Sequence, residues 1–155
     1  MTRVSDKTTQ DIYRVLGPFD HFEHHDADDD LDTQRTMKKD FEVRRSGAQY
    51  RGQVSSENDK PDGIGFKIYP NGSMFEGFFE EGQINGYGRG ITSRGEVYQG
   101  PFLYDAMHGK GLFQWPDGRL FFGDFHNGKK QGQGTYLWPN GQTYEGEFKN
   151  DECNG

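Results

Sequence analysis

Aromatic residues and glycine alternate with a period of two in short stretches of this chain, and the stretches recur at a fixed interval of 23 residues. Phe75-Glu76-Gly77-Phe78-Phe79, Tyr98-Gln99-Gly100-Pro101-Phe102, Phe121-Phe122-Gly123-Asp124-Phe125 and Tyr144-Glu145-Gly146-Glu147-Phe148 are the four clearest copies. A period of two is the signature of a β-strand. Eleven positions after each of the first three starts comes a Gly-x-Gly: Gly86/Gly88, Gly109/Gly111, Gly132/Gly134. Turn signals such as Pro70-Asn71-Gly72, Pro116-Asp117-Gly118 and Pro139-Asn140-Gly141 close the units, with Pro fixing φ and Gly or Asn accepting positive φ. Each copy therefore reads as a β-hairpin. Repeats of this length stack, because one unit cannot bury its own apolar face. The predicted fold is all-β: an elongated, twisted, single-layer antiparallel sheet of repeated hairpins, advancing about 10 Å per copy.

The same pattern sets the boundaries. A looser copy starts at Tyr50-Arg51-Gly52-Gln53-Val54, and its Gly63/Gly65 pair comes two residues late, after the polar stretch Ser55-Ser56-Glu57-Asn58-Asp59-Lys60. That stretch reads as a loop insertion. Phe41, Val43 and Gly47 stand before Tyr50 as Phe66, Ile68 and Gly72 stand before Phe75. We therefore divide the chain into an N-terminal tail, residues 1–40, and a repeat array, residues 41–155. The array holds a half copy (41–49), copies from 50, 75, 98 and 121, and a truncated copy (144–155). The tail is expected to be partly helical or disordered. Ser5–Leu16 has a cap, an apolar stripe of Ile12, Val15 and Leu16, and the stop Gly17-Pro18. Such a helix docks on the sheet or on a partner; the alternative is a frayed tail. Thr33–Asp40 is expected to be a helical turn leading into the array.

Composition narrows the function. Only 30% of the 155 residues are hydrophobic, yet 15% are aromatic, so rings must do what a thick aliphatic core does elsewhere. All of the 23 glycines except Gly17 and Gly47 lie in residues 50–155. Glycine belongs to the repeat. The lone Cys153 excludes an internal disulfide framework and suits a reducing compartment, and no apolar run has transmembrane length. The expectation is a soluble cytoplasmic protein. The net charge of −7 leaves no basic excess, and only Lys38-Lys39, Arg44-Arg45 and Lys129-Lys130 cluster. Nucleic acid needs clustered cations, and so does a phosphoinositide surface. Both are disfavoured as ligands.

No constellation of catalytic residues emerges. Gly86-Tyr87-Gly88-Arg89-Gly90 resembles a phosphate-cradling loop but lacks Gly-Lys-Ser/Thr, and its glycine pair recurs in other copies. Cys153 has no neighbouring base. Residues 20–32 hold Asp20, His21, Glu23, His24, His25, Asp26, Asp28, Asp29, Asp30 and Asp32, without a spacing that fixes a coordination geometry. We read them as a solvated acidic linker. No catalytic residue, metal site or cofactor is expected.

The rings at positions one and five of each first strand share a face with the central glycine and form the spine of the fold. On the other face, Glu76, Gln99, Phe122 and Glu145 are expected to be solvated in most copies. A second aromatic set, Tyr69, Phe113, Trp115, Tyr136 and Trp138, lies in return strands and turns. It either packs along the rim or forms a partly exposed ladder that receives a partner segment. Tyr144 and Phe148, in the last strand, are expected at an open edge where a second chain, a copy or a different protein, adds a strand or helix. These seven residues are the partner-binding candidates.

Tyr144-Glu145-Gly146-Glu147-Phe148, His108-Gly109-Lys110-Gly111 and Pro116-Asp117-Gly118 together resemble MORN repeats (membrane occupation and recognition nexus). The resemblance spans residues 41–155. Pro101 inside a first strand and the ring-poor Arg89-Gly90-Ile91-Thr92-Ser93 depart from the pattern. The resemblance implies a non-enzymatic scaffold that binds other proteins, some members laying a partner's helix along the sheet. It also implies a cytoskeletal setting, such as the axoneme of a cilium or its radial spoke heads. Its alternatives are a peripheral phospholipid-binding module, which the acidic balance disfavours, and a regulatory subunit of an enzyme housed in another chain.

Overall fold

The computed structural model describes residues 35–153, which form one antiparallel sheet of twelve strands. They are β1 (Arg35–Val43), β2 (Gln49–Ser55), β3 (Pro61–Ile68), β4 (Met74–Glu80), β5 (Gln83–Ile91), β6 (Val97–Leu103), β7 (Ala106–Met107), β8 (Gly109–Gln114), β9 (Leu120–His126), β10 (Lys129–Leu137), β11 (Thr143–Lys149) and β12 (Glu152–Cys153). Strands neighbour one another in chain order, with the short β7 set beside β6. Ten steps of about 4.8 Å give an open ribbon about 48 Å across. This is the expected single-layer, all-β architecture of hairpins.

The start of the array differs from expectation. The candidate helix Ser5–Leu16 and the acidic stretch 20–32 lie outside the described residues. From Arg35 onward the expected helical turn is instead strand: β1 pairs with β2 from Arg35↔Ser55 to Val43↔Gln49. Pairing here satisfies the backbone groups along the outer side of β2, which outweighs a short and uncapped helix preference. The turn after β1 has the form of the later ones, although the strand before it is irregular between Lys38 and Glu42. In that turn the Arg44 N–H donates to the Ala48 carbonyl and the Gly47 N–H to the Arg44 carbonyl. Tyr69–Ser73, Thr92–Glu96, Trp115–Arg119 and Trp138–Gln142 repeat those two bonds.

At the other end of the hairpins the turns have two residues, with positive φ at both: Glu81-Gly82, Tyr104-Asp105, Asn127-Gly128 and Asn150-Asp151. Such turns match the twist of paired strands. Each is tied to the preceding hairpin by its second N–H: Gly82 to the Pro61 carbonyl, Asp105 to Ile84, Gly128 to Met107, Asp151 to Lys130, at 2.8–3.0 Å. The ties hold consecutive units in a fixed relation.

The two glycines of each Gly-x-Gly do different work. Gly86, the first, has φ of +118° where β5 bulges between its pairings with Gly77 and Phe79. Gly88, the second, faces Gly77 across the ladder and forms the floor beneath the Phe75 ring. The same row continues through Gly65, Gly111 and Gly134, beneath Tyr50, Tyr98 and Phe121. Over this glycine row runs the spine. Tyr50, Phe79, Phe75, Phe102, Tyr98, Phe125, Phe121, Phe148 and Tyr144 meet in that order through edge-to-face contacts with centroids 4.9–5.4 Å apart. That geometry is the favoured one for rings. Val54 supplies the fifth position of the first copy.

The opposite face is uneven, and one expectation about it fails. Glu76 is not solvated: it is buried beside an equally buried Arg89, with Arg89 Nη2 donating to Glu76 Oε1 at 2.5 Å. The two residues are register partners in β4 and β5. Two buried charges tolerate each other only as a pair. Gln99, the next equivalent, is half-buried, whereas Phe122 and Glu145 are exposed. Among neighbours on this face, Met74, Ile91 and Val97 are buried.

Candidate functional site

The half-exposed aromatic set gathers on the ring face at the five-residue-turn end, in the C-terminal half of the array. Position in the repeat explains why. Tyr69, Thr92, Trp115 and Trp138 occupy equivalent places at the start of successive turns. Just inside them, Lys67, Gly90, Phe113 and Tyr136 are paired to Phe75, Tyr98 or Phe121 of the neighbouring strands. Gly90 and Thr92 carry no ring, so the row is interrupted there. Beyond the gap it is continuous. Phe113 and Trp115 lie 4.5 Å apart, Trp115 stacks on Tyr136 at 5.3 Å, and Tyr136 meets Trp138 at 4.4 Å. All four are partly exposed.

Tyr69 stands apart from this row. It packs against the N-terminal core cluster, with the Lys67 ammonium 4.9 Å from its ring centre. Burial pushes its phenol up to about 12, and the Asp105 charge adds to the effect. Tyr144 is half-buried at the end of the spine, its O–H reaching the Glu147 carbonyl at 3.4 Å. Phe148, expected at an open edge, lies in the core: it is 2% exposed and wedged against Phe121. It is a spine residue. The edge itself is partly covered, since β12 pairs Cys153 with Phe148 and Glu152 with Lys149. The seven candidates therefore divide into one assembled row of four, one separate tyrosine and two members of the spine.

Two cations complete the row, and residue-type reasoning did not find them. Arg119 stacks its guanidinium 4.8 Å from the Trp115 ring, donates to the Tyr136 hydroxyl at 2.9 Å and pairs with Asp117 at 2.7 Å. The Arg119 backbone N–H, together with its guanidinium, holds the exposed Asp117 carboxyl below the ordinary carboxylate range. Lys130 places its ammonium 5.1 Å from Trp115, 5.5 Å from Phe121 and 6.0 Å from Tyr136, with Asp151 at 3.9 Å. Burial lowers the Lys130 pKa, the Asp151 charge opposing. The signals were present in retrospect. Arg119 follows the turn glycine after Trp115, and Lys130 follows the two-residue turn. Neither points at a ring until the hairpins are side by side.

Chemically, the row offers ring surface to apolar groups, with the Arg119 guanidinium and the Lys130 ammonium already set against its rings. Among the described residues, no group of three or more His, Cys, Asp or Glu side chains could hold a metal ion.

The family model described as the MORN repeat matches residues 50–74, 75–89, 98–118, 121–143 and 144–155, more than half of the chain. No curated protein matches. Among solved structures, a catalytically inactive virginiamycin B lyase from Staphylococcus aureus with quinupristin is similar at 17% identity and a TM-score of 0.24. The match covers 77% of this chain and 44% of that one. A likeness that slight bears on neither fold nor chemistry.

Proposed function

The chain belongs to the MORN-repeat family, whose repeats generally act as protein- or membrane-binding modules, and we propose that it is a non-enzymatic protein-binding scaffold. The partner segment lies along the Phe113–Trp115–Tyr136–Trp138 row. The observation that carries this reading is the row itself: four rings in contact and partly exposed, with Phe113, Trp115 and Tyr136 resting on the C-terminal core cluster. Aromatic side chains dominate binding energetics because they bury much area for little entropy, and pre-stacked rings lose less still on binding. Apolar side chains of the partner sit on the π faces. We assign the scaffold to a cytoplasmic, cytoskeletal assembly of the axonemal kind. That assignment rests on the family resemblance alone.

The test pairs capture with melting. Trp115→Ser combined with Trp138→Ser in the full chain should retain a cooperative melt and lose cytoskeletal proteins that co-purify with the parent. An unchanged partner set, or a collapse of the melt, overturns the assignment of the row. Flotation with vesicles of phosphatidylcholine and phosphatidylserine separates the membrane alternative: parent protein that floats, and double variant that does not, would make the row a lipid contact.

A further inference from the structure

The side chains of the aromatic row are rich in hydrogen-bond donors and poor in acceptors. Trp115 and Trp138 hold equivalent places at the start of successive turns. Among the described residues none accepts from the indole N–H of either, and neither nitrogen is buried. Tyr136 lies between the two rings and already accepts from Arg119 Nη1 at 2.9 Å, which leaves its hydroxyl hydrogen to donate. The nearby charges are paired: Arg119 with Asp117 at 2.7 Å, Lys130 with Asp151 at 3.9 Å. An occupant that suits this surface is uncharged, brings its own acceptors and presents no N–H that the row would leave unsatisfied.

We propose that the row receives a neutral, proline-rich segment in the polyproline II conformation, lying across the strands with one proline against each hairpin. The proposal rests on the reading of the row as the partner site. Period supports it. Trp115 follows β8 and Trp138 follows β10, two strand spacings apart, about 9.6 Å. Polyproline II turns once in three residues, about 9.3 Å, so Pro-x-x-Pro sets the same side on successive copies. An extended strand repeats its side every two residues, about 6.7 Å, and falls out of step. Hydrogen bonding agrees. An α-helix uses its carbonyls internally and leaves both indole donors unpaired. Polyproline II has no internal hydrogen bonds, so its carbonyls stand free to accept, and proline has no N–H to strand. Its rings bury apolar surface on the aromatic ones, and the segment is ordered before it binds. In the preceding copy Gly90 and Thr92 take the places of Phe113 and Trp115 and carry no ring. The site therefore spans two hairpins and one Pro-x-x-Pro.

The full chain contains two tryptophans, so its proton–nitrogen NMR spectrum shows two indole N–H signals, both from the row. The probe is acetyl-nonaproline amide, about 28 Å long. Both signals should shift downfield as the peptide is raised to about 1 mM, a concentration that half-fills even a weak site. Trp115→Phe and Trp138→Phe each keep a ring and remove a donor. Each should weaken binding about fivefold, read from the remaining indole signal. A glycine–serine peptide of the same length, with carbonyls and no rings, should shift neither signal. Signals that nonaproline leaves unmoved overturn the proposal. So does a helical alanine–leucine peptide that shifts them as strongly, or full affinity in both Phe variants. The outcome is separable from that of capture. If Trp115→Ser with Trp138→Ser loses the partners while nonaproline moves nothing, the row stays a binding site and its occupant is another kind of segment.

Discussion

Phe75 rests on Gly88: a Cβ at Gly88 would stand 2.3 Å from the Phe75 Cζ, closer than any real contact. The spine and the glycine row are thus one device, and its tolerance can be measured. Gly88 has ordinary backbone angles, so the cost of a side chain there is purely steric. Gly141 is the reverse case, with φ of +87° and nothing within 4 Å of an added Cβ.

Gly88→Ala should destabilise the protein by about 3 kcal/mol or more, as overpacking against backbone and ring does. Gly141→Ala should cost about 1 kcal/mol, the price of left-handed backbone. Chemical denaturation of both variants checks this. Equal losses would mean that the ring shifts aside and that the floor is soft.

The buried Glu76–Arg89 pair predicts non-additivity. Arg89→Met strands a carboxylate away from water and should cost about 3–5 kcal/mol. Combining it with Glu76→Leu removes the stranded charge and should recover most of that loss. A double-mutant cycle reads the coupling. If the double variant is as unstable as the sum of the singles, the pair is not the reason for the burial.

Much of this structure is legible in the chain. The interval between Phe75 and Tyr98 gives the hairpin, Pro116-Asp117-Gly118 gives the turn, and the half copy at Phe41–Gly47 is found by counting back from Tyr50. These features depend on local backbone needs, which each copy repeats. What escapes depends on contacts that differ between copies. Glu76, Gln99, Phe122 and Glu145 share one position, so the pattern assigns them one environment, and the buried ion pair is invisible in it. Arg119 and Lys130 find Trp115 and Tyr136 only across neighbouring hairpins. Phe148 looks like an edge residue by order along the chain, yet the spine runs diagonally and places it on Phe121.

Alkaline pH should unfold the array through its tyrosines. Burial holds the Tyr50 and Tyr98 phenols far above their ordinary value, and they donate to the Gln53 and Pro101 carbonyls at 2.6 and 2.9 Å. Tyr69 is pushed up to about 12. A folded pKa above the unfolded one gives stability that is intact below about pH 10 and lost as pH rises beyond it. Urea midpoints should therefore be flat up to about pH 9 and fall steeply above about pH 10. Tyr50→Phe with Tyr98→Phe should shallow the fall. Phenolate absorbance near pH 10 that the parent shows while still folded, and that Tyr50→Phe with Tyr98→Phe removes, would contradict the burial.

Lys130 gives the opposite sign. Asp151 attracts its ammonium, yet its pKa is lowered, because burial, together with the like charge of Arg119, outweighs that attraction. A depressed cation costs stability while charged, and the cost disappears as pH rises through the depressed value toward the ordinary lysine range. Lys130→Met keeps the stem against Trp115 and removes the charge. Its melting temperature should exceed that of the parent by about 2 °C at neutral pH, the effect of a fraction of a kcal/mol. The gap should shrink as pH rises, even while both proteins lose stability through their tyrosines. A lower melting temperature for Lys130→Met at neutral pH would show that the rings and Asp151 hold the ammonium more strongly than water does. Lys130 would then count among the groups that fix the aromatic row in place.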